Sequence, residues 1–166
     1  MARLRAALGS LAFLVLAPGV VAGLLPWAFT GWETESPCRR CRPPGSSCVA
    51  GGVIVLVHAF ARFVIEGLGT PAPVAPTERL VVGGLYRHVR NPMYLAVAAT
   101  ILGQALILGR PGLLVYAAAF GAAVVAFVQI YEEPTLAERY GEAYEAYRRA
   151  VPVWWPRRRP WDGASR

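Results

Sequence analysis

Residues 84–96 read "GLYRHVRNPMYLA", setting Arg87, His88, Arg90 and Asn91 directly against the apolar run "MYLAVAATILGQALIL". Asn91 followed by Pro92 is a helix-start signal, because Asn suits the N-cap and Pro the first helical position. A helix beginning there ends in unpaired backbone N–H groups and a positive dipole. With Arg87 and Arg90 beside it, such an end favours a carboxylate or phosphate. The plain alternative is a capped helix with interfacial Arg and Tyr anchors. Farther along, Glu132 and Glu133 close another apolar run. Adjacent carboxylates at the negative end of a helix dipole call for a cationic partner. Otherwise they are two solvated acids ahead of a helix-stopping Pro134.

His58, Arg62 and Glu66 are spaced four apart and share one helical stripe inside an apolar run. Ionisable groups in a span normally face a protein interior or an aqueous cavity. An Arg62–Glu66 pair near the interface is the other reading, with the arginine snorkelling out. Cys38, Cys41 and Cys48 supply one CxxC and a third thiol, one short of a four-ligand zinc set and with no histidine nearby. A disulfide with one spare thiol is the plainer expectation, and no metal is expected.

These groups need a scaffold, and composition says which. Of 166 residues 55% are hydrophobic and only 16% charged, with mean hydropathy +0.41. A soluble domain is roughly 45–50% apolar and about 25% charged, so this chain leans towards the bilayer. The net charge of +7 comes from 17 basic residues, all arginine and clustered between apolar runs. That is the pattern of a polytopic membrane protein and not of a nucleic-acid groove. The expected fold is all-α: a membrane helical bundle of about four transmembrane helices, in a single domain, plus a C-terminal amphipathic helix. The spans fall at about 8–29, 49–68, 92–108 and 113–131, against the ~20 residues a helix needs to cross. The first run also has features of a cleaved signal peptide, but it continues through "LLPWAF", past a normal signal core. Small residues (Ala96, Ala99, Thr100 and Gly103; Ala117 and Gly121) suit close packing of the last two spans.

With four spans, twelve arginines lie on the side of both termini and four on the other. Arginine stays in the cytoplasm, so both termini and residues 84–96 are expected there. The Ala, Gly, Pro and Arg bias points to a GC-rich bacterial genome and an inner membrane. After Pro134, an apolar stripe through Leu136, Tyr140, Tyr144, Tyr147 and Val151 predicts the amphipathic helix, at about 135–150. Its tyrosines are either interfacial packing or a wall for a flat heterocycle. "VPVWWPRRRP" then reads as an aromatic and basic interfacial anchor.

"GLYRHVRNPMYLA" followed by a hairpin and "YEEPTLAERYGEAYEAYRRAVPVWWP" resembles the isoprenylcysteine carboxyl and phospholipid methyltransferase superfamily of integral membrane enzymes, over about residues 66–156. "NPMY" and "YEEP" look most like the phosphatidylethanolamine N-methyltransferases, and the tail like the carboxyl branch. The resemblance implies S-adenosylmethionine as cofactor. It carries the R-H-P-x-Y motif onto Arg90, Asn91, Pro92 and Tyr94, the acidic pair onto Glu132 and Glu133, and a G-x-G onto Gly67 and Gly69. Tyr140, Tyr144 and Tyr147 match the tail pattern. Asn91 replaces the common histidine, and Val128, Gln129 and Ile130 stand where the carboxyl branch often carries arginine. Both departures weigh against a prenylcysteine substrate.

Chemically, Arg90 and the helix start suit the cofactor's carboxylate, Glu132 or Glu133 its amino group or ribose, and the tyrosines its adenine. Arg90, Arg62 and Glu66 are the candidate catalytic residues, Arg62 and Glu66 (with Arg87) orienting an acceptor that enters from the bilayer. The expected activity is methyl transfer to a lipid-like or small hydrophobic, membrane-soluble acceptor at the cytoplasmic face. An NADPH-dependent membrane reductase of related architecture and a non-catalytic scaffold are the rivals.

Overall fold

Prolines and glycines punctuate the apolar runs, and the helices follow that punctuation. The computed structural model describes residues 9, 11–35, 38–62, 65–66 and 80–163. Among them every regular element is helical: α1 (Leu11–Thr30), α2 (Arg42–Arg62), α3 (Pro92–Leu108), α4 (Pro111–Tyr140) and α5 (Glu142–Ala150), with a 3-10 turn at Gly84–Arg87. By length and composition α1, α2 and α4 are able to cross a membrane, and α3 is a shorter apolar helix. Seventeen residues give α3 about 25 Å. It is the central helix, packed along α2 on one side and α4 on another. Eight of its residues are buried, from Pro92 to Leu108.

Helix α2 starts seven residues before the expected 49, at Arg42, with Pro43 and Pro44 in its first turn. Prolines there lose no bond, since first-turn N–H groups have no helical acceptor. The close packing expected between the last two spans lies elsewhere. A Cβ built on Gly103 of α3 would sit 2.7 Å from the Gly45 carbonyl oxygen of α2, whereas one on Gly121 of α4 meets nothing within 4 Å. The small face of α3 therefore receives α2. The α3–α4 corner turns at Gly109 (φ 62°), and Pro111 starts α4.

Pro26 has no N–H to offer the carbonyl of Ala22, four residues back. That oxygen accepts instead from Gln104 Nε2 of α3 at 2.6 Å, and the neighbouring Val21 carbonyl accepts from the Tyr116 hydroxyl of α4 at 2.8 Å. Two polar side chains thus tie α1 to the bundle.

Pro134 does not stop a helix, contrary to expectation. A π-helical turn at Val128–Glu132 precedes it, closed by the Glu133 N–H on the Val128 oxygen, and the wider turn accommodates the proline while α4 runs on to Tyr140. The break comes at Gly141 (φ 52°, ψ −127°), a backbone state open mainly to glycine. The single helix expected over 135–150 is therefore the end of α4 plus α5. The CxxC cysteines Cys38 and Cys41 form a disulfide, and Cys48 is free.

Gly103→Ala should destabilise the bundle by about 1–3 kcal/mol, the usual cost of overpacking. Gly121→Ala should be neutral or stabilising by up to ~1 kcal/mol, from helix propensity alone. Thermal unfolding in detergent reads both; equal effects would place the tight interface elsewhere.

Candidate active site

Arg90 is the last but one residue before α3, and three separate parts of the chain converge on it. Its Nη1 lies 2.8 Å from Glu133 Oε1 on α4 and donates to the Tyr144 hydroxyl of α5 at 3.1 Å. Its backbone N–H donates to the Pro152 carbonyl at 3.0 Å. Arg148 stands 3.9 Å from the second Glu133 oxygen. The Arg90 and Glu133 side chains are only 12% and 18% exposed. Arg90 Nε is buried and, among the described residues, has no hydrogen-bond partner. The other acid of the pair has its own partner: the Tyr94 hydroxyl donates to Glu132 Oε2 at 2.8 Å. The cationic partner expected for the acidic pair is present, though the helix end first invoked for it is not.

These side chains wall a cavity of about 540 Å³, within the range of small-molecule and cofactor sites. Arg90, Asn91, Pro92 and Tyr94 line it from the start of α3, and Glu132 and Glu133 from α4. Tyr140, Tyr144 and Tyr147 add an aromatic wall. Burial holds the Tyr144 and Tyr147 phenols above the usual tyrosine range, so both remain protonated at neutral pH. Tyr147 uses its proton on the Tyr86 carbonyl at 2.7 Å. Toward the bundle interior the walls turn apolar, with Phe13, Val21, Phe60, Val97 and Phe120.

Arg62, Glu66 and Arg87 lie away from the cavity walls. Arg62 and Glu66 pair at 2.8 Å, and Glu66 Oε2 accepts the Gly83 N–H at 2.9 Å. A Cβ on Gly84 would lie 2.7 Å from both Arg62 Nε and His58 Nε2. The whole stripe therefore packs on the Gly83–Gly84 backbone that leads into residues 87–91. Arg87 turns away too, pairing with Asp162 and donating Nε to the Trp161 carbonyl at 2.6 Å. Asn91 occupies the N-cap position without a side-chain cap bond; its Nδ2 instead faces the Val153 carbonyl at 3.5 Å. Gly67 and Gly69 lie outside the described residues.

Sequence reasoning missed several walls. Tyr86 and Arg139 line the cavity, and both sit inside the motifs already singled out. The α1 wall (Phe13, Ala17, Val21) had no signal, because an apolar side chain facing a cavity reads like one facing lipid.

Among the described residues, an all-helical bundle with helices long and apolar enough to cross a membrane thus carries a cavity with charged and apolar walls. The sequence model of the phospholipid methyltransferase family matches residues 43–143, and the chain belongs to that family. Membership makes it a membrane methyltransferase. No curated protein and no solved structure matches the chain. The family match runs from the first turn of α2 to the start of α5, so Tyr144, Tyr147 and everything after them lie beyond it.

Glu133→Gln should lower stability by about 1.5–3 kcal/mol, the worth of a charge-assisted hydrogen bond. Glu132→Gln should cost less, because the amide oxygen still accepts from Tyr94. Unfolding midpoints in detergent test the order, and the reverse order would move the structural pair from Glu133 to Glu132.

Proposed function

We propose that the chain transfers the methyl group of S-adenosylmethionine to a lipid-like or membrane-soluble acceptor at the cytoplasmic membrane face. The observation that carries this reading is the cavity's polarity: a charged, tyrosine-walled end at Arg90, Glu132 and Glu133 opens into an apolar end built from α1, α2, α3 and α4. The donor set fits the cofactor. Arg90 Nε is a buried donor left over after Nη1 is committed, which suits the cofactor's carboxylate. Glu132 takes one hydrogen bond, from Tyr94, and its carboxylate suits an amino group or ribose hydroxyl. Tyr140 and Tyr144 offer ring surface for adenine.

Bound there, the cofactor supplies a methyl group on a positively charged sulfur. The chain's own task is to hold the acceptor's lone pair behind that methyl and keep water out, and such positioning accounts for much of a methyl transfer's rate. Apolar walls at Phe13, Val21, Val97 and Phe120 suit an acyl-like or otherwise hydrophobic acceptor. Arg62 and Glu66 act at one remove in this reading, holding the Gly83–Gly84 backbone.

Isothermal titration of the detergent-purified chain with S-adenosylmethionine should show binding. Arg90→Ala and Glu132→Gln should each weaken it about ten- to a hundredfold, the equivalent of one charge-assisted hydrogen bond. Variants that bind like the parent would put the cofactor elsewhere. The arginine distribution supports a cytoplasmic placement of the site. In a cysteine-free background, Glu35→Cys should react with an impermeant thiol reagent in intact cells and Gly163→Cys should be shielded. The opposite pattern would invert the topology.

A further inference from the structure

Beyond the family match, residues 152–162 cross back over residues 87–91 as a strap. Going down the strap, the Arg90 N–H donates to the Pro152 oxygen, the Arg157 N–H to the His88 oxygen and the Trp161 N–H to the Arg87 oxygen, each at 3.0 Å. His88 Nδ1 lies 2.8 Å from the Arg157 carbonyl oxygen, and Arg157 Nη1 donates to the Ala150 oxygen at 2.7 Å. The Trp161 ring packs 5.4 Å from that of Tyr147, a cavity wall. The strap's inner face is thus committed to the segment that carries Arg90.

Its outer face is not. Trp155 is 83% exposed, and Arg158 and Arg159 are exposed beside it. Residues 87–91 immediately precede the apolar helix α3, so the strap lies at the level where the chain leaves the apolar layer. A tryptophan with two arginines at that level matches an anionic headgroup surface in polarity and charge.

We propose that the outer face of the strap docks on anionic lipid headgroups, and that this docking holds residues 87–91, and Arg90 with them, in place for the ligand. The second half rests on the reading of the cavity as the cofactor site. The physics is linkage: lipid that prefers the closed strap and a ligand that needs Arg90 in place must strengthen one another's binding. Each arginine near an anionic surface favours the docked state roughly fivefold, so Arg158 and Arg159 set an upper limit of roughly 25-fold.

The test places the full chain in nanodiscs of phosphatidylcholine alone or mixed with phosphatidylglycerol. Amide exchange is followed over residues 87–91 and 157–161, and S-adenosylmethionine is titrated in both discs. Anionic discs should slow exchange in both segments and tighten S-adenosylmethionine binding several-fold, within that limit. Both effects should vanish in Arg158→Gln/Arg159→Gln and weaken at high salt. Equal protection in both discs would assign the face to neutral lipid through Trp155 and overturn the proposal, as would a lipid effect that survives the double variant. Slower exchange with unchanged affinity would overturn the coupling to the site. A parent that binds no S-adenosylmethionine in either disc would overturn the cofactor reading instead, and the exchange comparison would still decide whether the strap docks.

Discussion

The guanidinium of Arg90 has little water around it, and a cation in that position must be matched by the protein itself. Glu133 matches its charge, Tyr144 takes a second hydrogen bond from the same nitrogen, and the backbone of Arg90 is fixed by Pro152. Those three partners belong to α4, to α5 and to the tail, which also meet through the Arg148–Glu133 pair, the Arg157–Ala150 hydrogen bond and apolar contacts around Tyr144, Tyr147 and Val151. Apolar packing is tolerant of sliding, whereas a charged hydrogen bond is not. Arg90 bonds to all three and so helps fix the register in which they close over the end of the bundle. Nη1 does this structural work, while Nε, buried in the same cavity-lining side chain, has no hydrogen-bond partner among the described residues.

The same constraint explains the division of labour among the ionisable groups. His58 and Arg62 sit in the apolar helix α2 and Glu66 lies four residues beyond Arg62, a stripe that from spacing alone could face a cavity. Glu66 and Arg62 instead meet the bare backbone of Gly83 and Gly84, where no side chain fits between. They fix the entrance of the segment whose exit is fixed by the strap. Arg90 lies between the two fixed points.

What could be read in advance follows from how local each signal is. Helix α3 was legible to the residue, because Asn91–Pro92 and Gly109 are local stop and start chemistry. The nine described cofactor candidates, from Arg90 to Tyr147, all reach one cavity, because the motif residues crowd the ends of apolar helices. The partner of the small residues on α3 was not legible: Ala96, Thr100 and Gly103 show that something comes close, but only the fold shows that it is Gly45 and Gly52 of α2. The role of Asn91 was misjudged for a similar reason, since its carboxamide had an acceptor in the tail that no local pattern reveals. The course of α4 through Pro134 was missed because a π turn has no compositional mark.

That π turn at Val128–Glu132 has a consequence for the phase of the helix. An ordinary α-helix advances about 100° per residue, and a π turn is, in effect, one residue inserted without lengthening the path much. Everything after it is turned by roughly that angle from where an uninterrupted α-helix would put it. Upstream, α4 presents Leu113 and Ala117 to its neighbours; downstream, it presents Glu132 and Glu133 to Tyr94 and Arg90. Winding the same residues as a regular α-helix would swing both carboxylates by roughly that angle around the helix axis, away from their donors. The extra residue is a phase shifter: it lets one helix show grease to its neighbours for most of its length and acid to them at its end.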